Sequence, residues 1–224
     1  MIPIRDEIPT LRVPLITYSL IVLNILAFIF QSTLTNETQE VVYQFALIPA
    51  HFTSGLSVGD ITDIFTSMFM HAGLAHIGGN MLYLWIFGDN VEDRMGRGRF
   101  IVFYLIGGIV ASLTHIVTNP ESQTPTVGAS GAIAAVLGAY LVLYPQSRVL
   151  TLIPLGFFIR LSMLPAAIVL GIWFLLQFFQ GVLTLGGPDV GGVAFWAHIG
   201  GFVAGVVLAK LFAKPKQRES LHYW

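Results

Sequence analysis

The stretch Trp196-Ala197-His198-Ile199-Gly200-Gly201-Phe202-Val203-Ala204-Gly205-Val206-Val207-Leu208-Ala209 decides the class of fold. It is apolar, free of charge and long enough to belong to a membrane-crossing helix, yet it opens on an ionisable imidazole. Two further apolar runs also open on polar groups: Ser130 in Gly128-Ala129-Ser130-Gly131, and His76 with Asn80 in His76-Ile77-Gly78-Gly79-Asn80. Polar side chains at membrane depth are costly and mark functional sites by default.

Composition agrees. The chain has 224 residues, 55% of them hydrophobic and 10% charged, whereas about 25% of a soluble domain is charged. That disfavours a water-soluble globule and excludes a disordered chain. A formal net charge of -1 gives no electrostatic footprint for nucleic acid. With no cysteine, thiol catalysis, thiolate metal sites and disulfides are excluded together. The first apolar run lacks a small-residue cleavage site and reads as a retained span.

Six candidate spans emerge, at about 14–34, 74–90, 99–118, 127–144, 161–182 and 194–213, each near the length that crosses ~30 Å of hydrocarbon. The expectation is an all-α six-helix membrane bundle forming a single domain over residues 1–224. The second span reads as short, and Val149 to Ile159 as an interfacial segment without a crossing of its own. The first loop, 35–73, carries Phe45, Leu47, Ile48, Phe52, Ile61, Ile64, Phe65 and Phe69, and reads as structured and partly embedded. Residues 214–224 form a cytoplasmic tail.

The eleven Lys and Arg residues fall at the N-terminus, between spans two and three, between spans four and five, and at the C-terminal end. The positive-inside rule then places both termini in the cytoplasm, with an even number of spans. Spans two, four and six run inward from the outer face, so His76, Ser130 and His198 share a depth of roughly 5–10 Å below it.

A serine, two histidines and an asparagine at one depth supply a nucleophile, a base and oxyanion donors. Each has a plainer explanation, since Gly-Ala-Ser-Gly packs helices closely and Asn or His bonds across them. The serine hydroxyl is a weak nucleophile until a base takes its proton, and His198 suits that task near neutral pH. Gly201 and Gly205 lie on the face of His198 and permit close approach of a neighbour, the Ser130 helix being the best candidate. His76 and Asn80, spaced i, i+4, share a face and, with the Ser130 backbone N–H, make an oxyanion hole.

The only acidic residue near these groups is Asp189, so a Ser–His dyad is favoured, its imidazole oriented by packing. His71 sits at the membrane edge, His51 and His115 read as structural, and His222 lies in the tail. A metal site at His71, His76 and His198 is the competing enzyme reading, but no His-Glu-x-x-His pattern or neighbouring carboxylate accompanies it. Neither a cofactor nor a metal is called for. A non-catalytic binder of membrane helices and a transporter are the readings from other classes.

The runs His71 to Met81, Gly128 to Gly131 and Ala197 to Gly205, with Val91-Glu92-Asp93-Arg94-Met95-Gly96 after the second span, together resemble the rhomboid family of intramembrane serine proteases. The resemblance covers the whole six-span core. It implies Ser130 as nucleophile, His198 as general base, and Asn80 and His76 as oxyanion donors. It also implies membrane-protein substrates cut near the outer face, with the fifth span and a loop cap governing access. One turn after the serine, where family members often carry an aromatic that packs on the imidazole, this chain has Ala134. The Trp-Arg pair of some first loops is absent. A bacterial cytoplasmic (inner) membrane is the expected location.

Overall fold

A computed structural model describes residues 1–34, 38–156, 158–185 and 193–215. The apolar runs become helices α1 (Leu15–Thr33), α5 (Leu74–Met95), α6 (Arg97–Thr118), α7 (Ser130–Leu143), α8 (Ala166–Leu183) and α9 (Phe195–Phe212). Four of these, α1, α6, α8 and α9, are long and apolar enough to cross a membrane. The first loop folds into three short helices, α2 (Thr38–Phe45), α3 (Pro49–Ser54) and α4 (Val58–Thr66), followed by a 3₁₀ turn at Ser67–Phe69.

The core lies between α5, α6, α7 and α9, where Leu84, Phe87, Val91, Phe103, Tyr104 and Tyr140 are fully buried. The outward faces are the reverse of a soluble protein's. Val22, Leu26 and Phe30 on α1, Leu176 and Phe179 on α8, and Val207 and Leu211 on α9 all stand exposed. Such a belt exceeds any apolar patch a soluble monomer tolerates, and hydrocarbon is its natural solvent.

Two expectations need correction. The chain is not all-α, because β1 (Ile2–Asp6), β2 (Arg148–Leu155) and β3 (Phe158–Pro165) form an antiparallel sheet in the order β1-β2-β3. The segment expected to be merely interfacial is β2 and the start of β3, and α8 begins at Ala166, five residues after the expected start of the fifth span. The run Val149-Leu150-Thr151-Leu152-Ile153 is too short to span and rich in strand formers. It pairs on both edges, with Ile2 opposite Leu152 on one side and Ile153 opposite Arg160 on the other. Pro154 follows the β1 register, where its missing N–H costs no ladder bond, and Gly156 turns the hairpin at φ +63°.

The helix that holds the expected second span also runs five residues past the apolar stretch. α5 has 22 residues, because its polar last turns are anchored rather than solvated. Glu92 is buried and accepts from the Ile16 and Thr17 N–H groups at 3.1 and 2.8 Å, placing a carboxylate at the positive end of α1. Asn90 donates to Asp6 at 2.9 Å, Tyr140 donates to the same carboxylate, and the Lys214 N–H donates to the Arg94 carbonyl at 2.9 Å. β1 and the last described residues therefore meet the same end of α5, opposite the end that carries His76.

Candidate active site

Glycine sets the distance between the two helices that matter. A methyl built on Gly201 would overlap the Gly131 carbonyl oxygen, and one on Gly205 would overlap that of Ala135. α9 thus lies backbone to backbone on α7, with no side chain between them. At the far end of this seam the Ser130 Oγ and the His198 Nε2 are 2.8 Å apart. Sixty-eight residues separate them in sequence, and the helix contact brings them into hydrogen-bond reach.

Ser130 is the first residue of α7, where backbone N–H groups have no intrahelical acceptor. The preceding Gly128 has φ +123°, a region side chains rarely enter. Its N–H donates to the Ser67 carbonyl at 2.8 Å, and Leu47 and Thr126 pair reciprocally at 3.0 and 2.8 Å, so the first loop pins the approach to the serine. A Cβ on Gly128 would sit 2.8 Å from the His76 Nε2 and 3.4 Å from the Asn80 Nδ2. Only a glycine here leaves space beside both.

Asn80 is buried, and its Nδ2 has no hydrogen-bond partner among the described residues. The Ala72 N–H donates to the His76 Nδ1 at 3.4 Å, which in a neutral ring leaves the proton on Nε2, the atom nearest Gly128. Two side-chain donors thus flank the backbone immediately before Ser130. The four groups line one cavity of about 1000 Å³.

Of the remaining histidines, His115 lines the same cavity without touching the serine. His71 is fully buried, its ring 5.1 Å from that of His76, and its backbone is clasped by Gln31 through bonds at 2.5 and 3.1 Å. His51 pairs with Asp60 at 3.3 Å, and the His115 Nε2 lies 3.0 Å from the Thr126 Oγ1. Asp189 and His222 lie outside the described residues. Among the described residues no three His, Asp or Glu side chains converge to hold a metal ion.

One contact was missed from the sequence. Packing alone does not orient the imidazole, because the Gln177 Oε1 on α8 is 2.6 Å from the His198 Nδ1. Trp173, one turn earlier, holds its ring 5.8 Å from the imidazole at 36°. The sequence offered only a weak signal, a glutamine four residues after a tryptophan, in a span that also carries Gln180. Ala134 itself is buried, and a methyl on Gly201 would lie 3.3 Å from its Cβ. The tight seam leaves no place for an aromatic there.

Comparison with known proteins places this architecture. Residues 58–215 match the family model described as Rhomboid domain. The chain is 32% identical to the "Rhomboid protease GluP" of Bacillus subtilis (strain 168) over 204 residues, covering 91% of this chain and 36% of that protein. It is 31% identical over 114 residues to the "Putative rhomboid protease YdcA" of the same organism, covering 46% of this chain and 57% of that one. It is also 32% identical over 158 residues to the "Rhomboid-like protein 11, chloroplastic" of Arabidopsis thaliana, covering 66% and 51% respectively. The chain therefore spans between about a third and somewhat over half the length of these relatives. It is an integral, multi-pass membrane protein, and it belongs to the rhomboid family.

Proposed function

We propose that this protein is an intramembrane serine endopeptidase that cleaves the transmembrane segments of other membrane proteins near the outer face of the bilayer. The observation that carries the reading is the 2.8 Å contact between the Ser130 Oγ and the His198 Nε2 at the wall of a cavity shared with Asn80 and His76. In the reaction, the His198 Nε2 takes the Oγ proton as the oxygen attacks the scissile carbonyl. The oxyanion that forms accepts from the Asn80 Nδ2, the His76 Nε2 and the Ser130 backbone N–H. The imidazolium then returns its proton to the leaving amine. Water, activated by the same histidine, hydrolyses the acyl-enzyme.

All six long helices cross the bilayer in this reading, with both termini cytoplasmic. Support comes from β1 and the end of α9 meeting one end of α5, and from the clustering of Lys and Arg in the connections at that end. α7 has 14 residues and is ~21 Å long, so it falls ~9 Å short of a ~30 Å hydrocarbon core. With its C-terminal end level with the sheet, Ser130 lies below the outer surface and receives water through the cavity. A substrate helix hides its carbonyls in its own hydrogen bonds and must unwind to present one. Preferred substrates are therefore locally unstable helices, with a small residue before the scissile bond. The match to a Bacillus protein over 91% of the chain supports a bacterial cytoplasmic membrane as the location.

The test is cleavage of a helix-destabilised membrane substrate by the protein reconstituted in liposomes, beside Ser130→Ala and His198→Ala. Wild type cleaves and neither variant does. Normal cleavage by either variant would sink the dyad.

A further inference from the structure

Resting on the serine-protease reading, we infer that Gln177 is a positioning residue for the base, fixing the tautomer and the rotation of His198 from α8. In a neutral imidazole one nitrogen carries the proton and the other accepts. The Gln177 Oε1 is an acceptor, and at 2.6 Å from Nδ1 it selects the ring with its proton on that nitrogen. Nε2 is then left to accept from the Ser130 Oγ. Had the amide presented its Nε2, the ring would carry its proton toward the serine and no base would exist. A neutral amide thus does at Nδ1 what a carboxylate does in a Ser–His–Asp triad: it orients the ring and stabilises the imidazolium.

The surrounding packing makes this a property of α8 as a whole. Trp173, Gln177 and Gly181 are spaced i, i+4, i+8 and form one stripe. Trp173 lies against His198 and, 5.9 Å away, against Phe202. The Gly181 carbonyl accepts from the Trp196 Nε1 at 3.1 Å. All three contacts reach α9, so the support that an aromatic at position 134 would give from α7 comes here from α8. That helix is held lightly, with 22% of its membrane window buried against 44% for α9. The base is assembled only while α8 lies on α9.

The experiment compares wild type, Gln177→Leu, Gln177→Glu and Ser130→Ala in one reconstituted cleavage assay, with kcat and KM measured from pH 5 to 9 and active enzyme counted by serine-probe titration. The titratable side chains that face His198 are His76 on α5 and His115 on α6, and no variant alters them. Gln177→Leu, which removes the acceptor and suits an apolar span, lowers kcat by about 10- to 100-fold per titrated site. Its KM stays within about twofold. The acid limb of its kcat/KM moves to lower pH, because the imidazolium loses a hydrogen bond that favours the charged form. Gln177→Glu keeps an acceptor oxygen in place and restores kcat to within about threefold of wild type.

Wild-type kcat in Gln177→Leu overturns the inference. So does equal loss in both variants with an unmoved acid limb, which is the mark of a merely structural residue. A wild type no more active than Ser130→Ala overturns the protease reading beneath it, and this inference with it.

Discussion

Replacing Asn80 by alanine separates an oxyanion donor from a structural bridge between helices, because the two roles leave opposite signatures. A bridging amide would be bonded in the resting protein, and its loss would lower stability. The Asn80 Nδ2 is buried with no hydrogen-bond partner among the described residues, so Asn80→Ala removes no resting hydrogen bond at that atom and relieves a desolvated donor. The resting fold should lose little. The transition state is different: the carbonyl oxygen gains charge beside Gly128, within reach of Nδ2, and removing one such donor typically costs about 2.7–4 kcal/mol, or about 10²–10³ in kcat. The expected result is that fall in kcat with KM little changed and a melting temperature in detergent within about 2 °C of wild type. The assay is steady-state cleavage in liposomes, paired with thermal unfolding of the same preparations. A kcat within about threefold of wild type, or a large drop in melting temperature with the residual enzyme fully active, would refute the assignment.

Two further outcomes follow from the packing and the sheet. Gly205→Ala drives a methyl into the Ala135 carbonyl oxygen, a backbone contact that cannot rotate away, and should cost at least about 1–3 kcal/mol. Gly171→Ala meets nothing within 4 Å and gains up to about 1 kcal/mol of helix propensity. Thermal unfolding should therefore rank the two variants on opposite sides of wild type, and equal melting temperatures would contradict the seam. Asp6 has its carboxyl raised from 3.8 to about 6, chiefly by burial, so between those values the folded protein holds a proton that the unfolded chain has released. Stability from this group is complete below about pH 4 and is lost as pH rises through 6. Asp6→Asn, which keeps an oxygen for Tyr140, should flatten that part of the pH dependence of unfolding; slopes identical to wild type would refute it.

What could be read from the sequence, and what could not, has a physical basis. Long charge-free runs can be little but helices in a bilayer, and α1, α6 and α9 begin and end within two residues of the expected spans. The Gly201 and Gly205 face was legible because only a close neighbour requires it, and α7 is that neighbour. The sheet was not, since an apolar run of about ten residues has no length signal, and its partner strand lies some 145 residues earlier. Nor was the true end of α5, because hydropathy stops at the first carboxylates, while Glu92 is buried by its bonds to α1. Gln177 was invisible for a related reason. The span carries two amides, Gln177 and Gln180, and nothing in their spacing singles out the one that another helix sets 2.6 Å from an imidazole.

The most direct test of the central claim is to label the purified protein with a fluorophosphonate probe and map the adduct by peptide mass spectrometry, in wild type and His198→Ala. The dyad predicts one adduct, on Ser130, formed in wild type and absent in the variant. An adduct on a different residue, or labelling of Ser130 at the wild-type rate without His198, would contradict it.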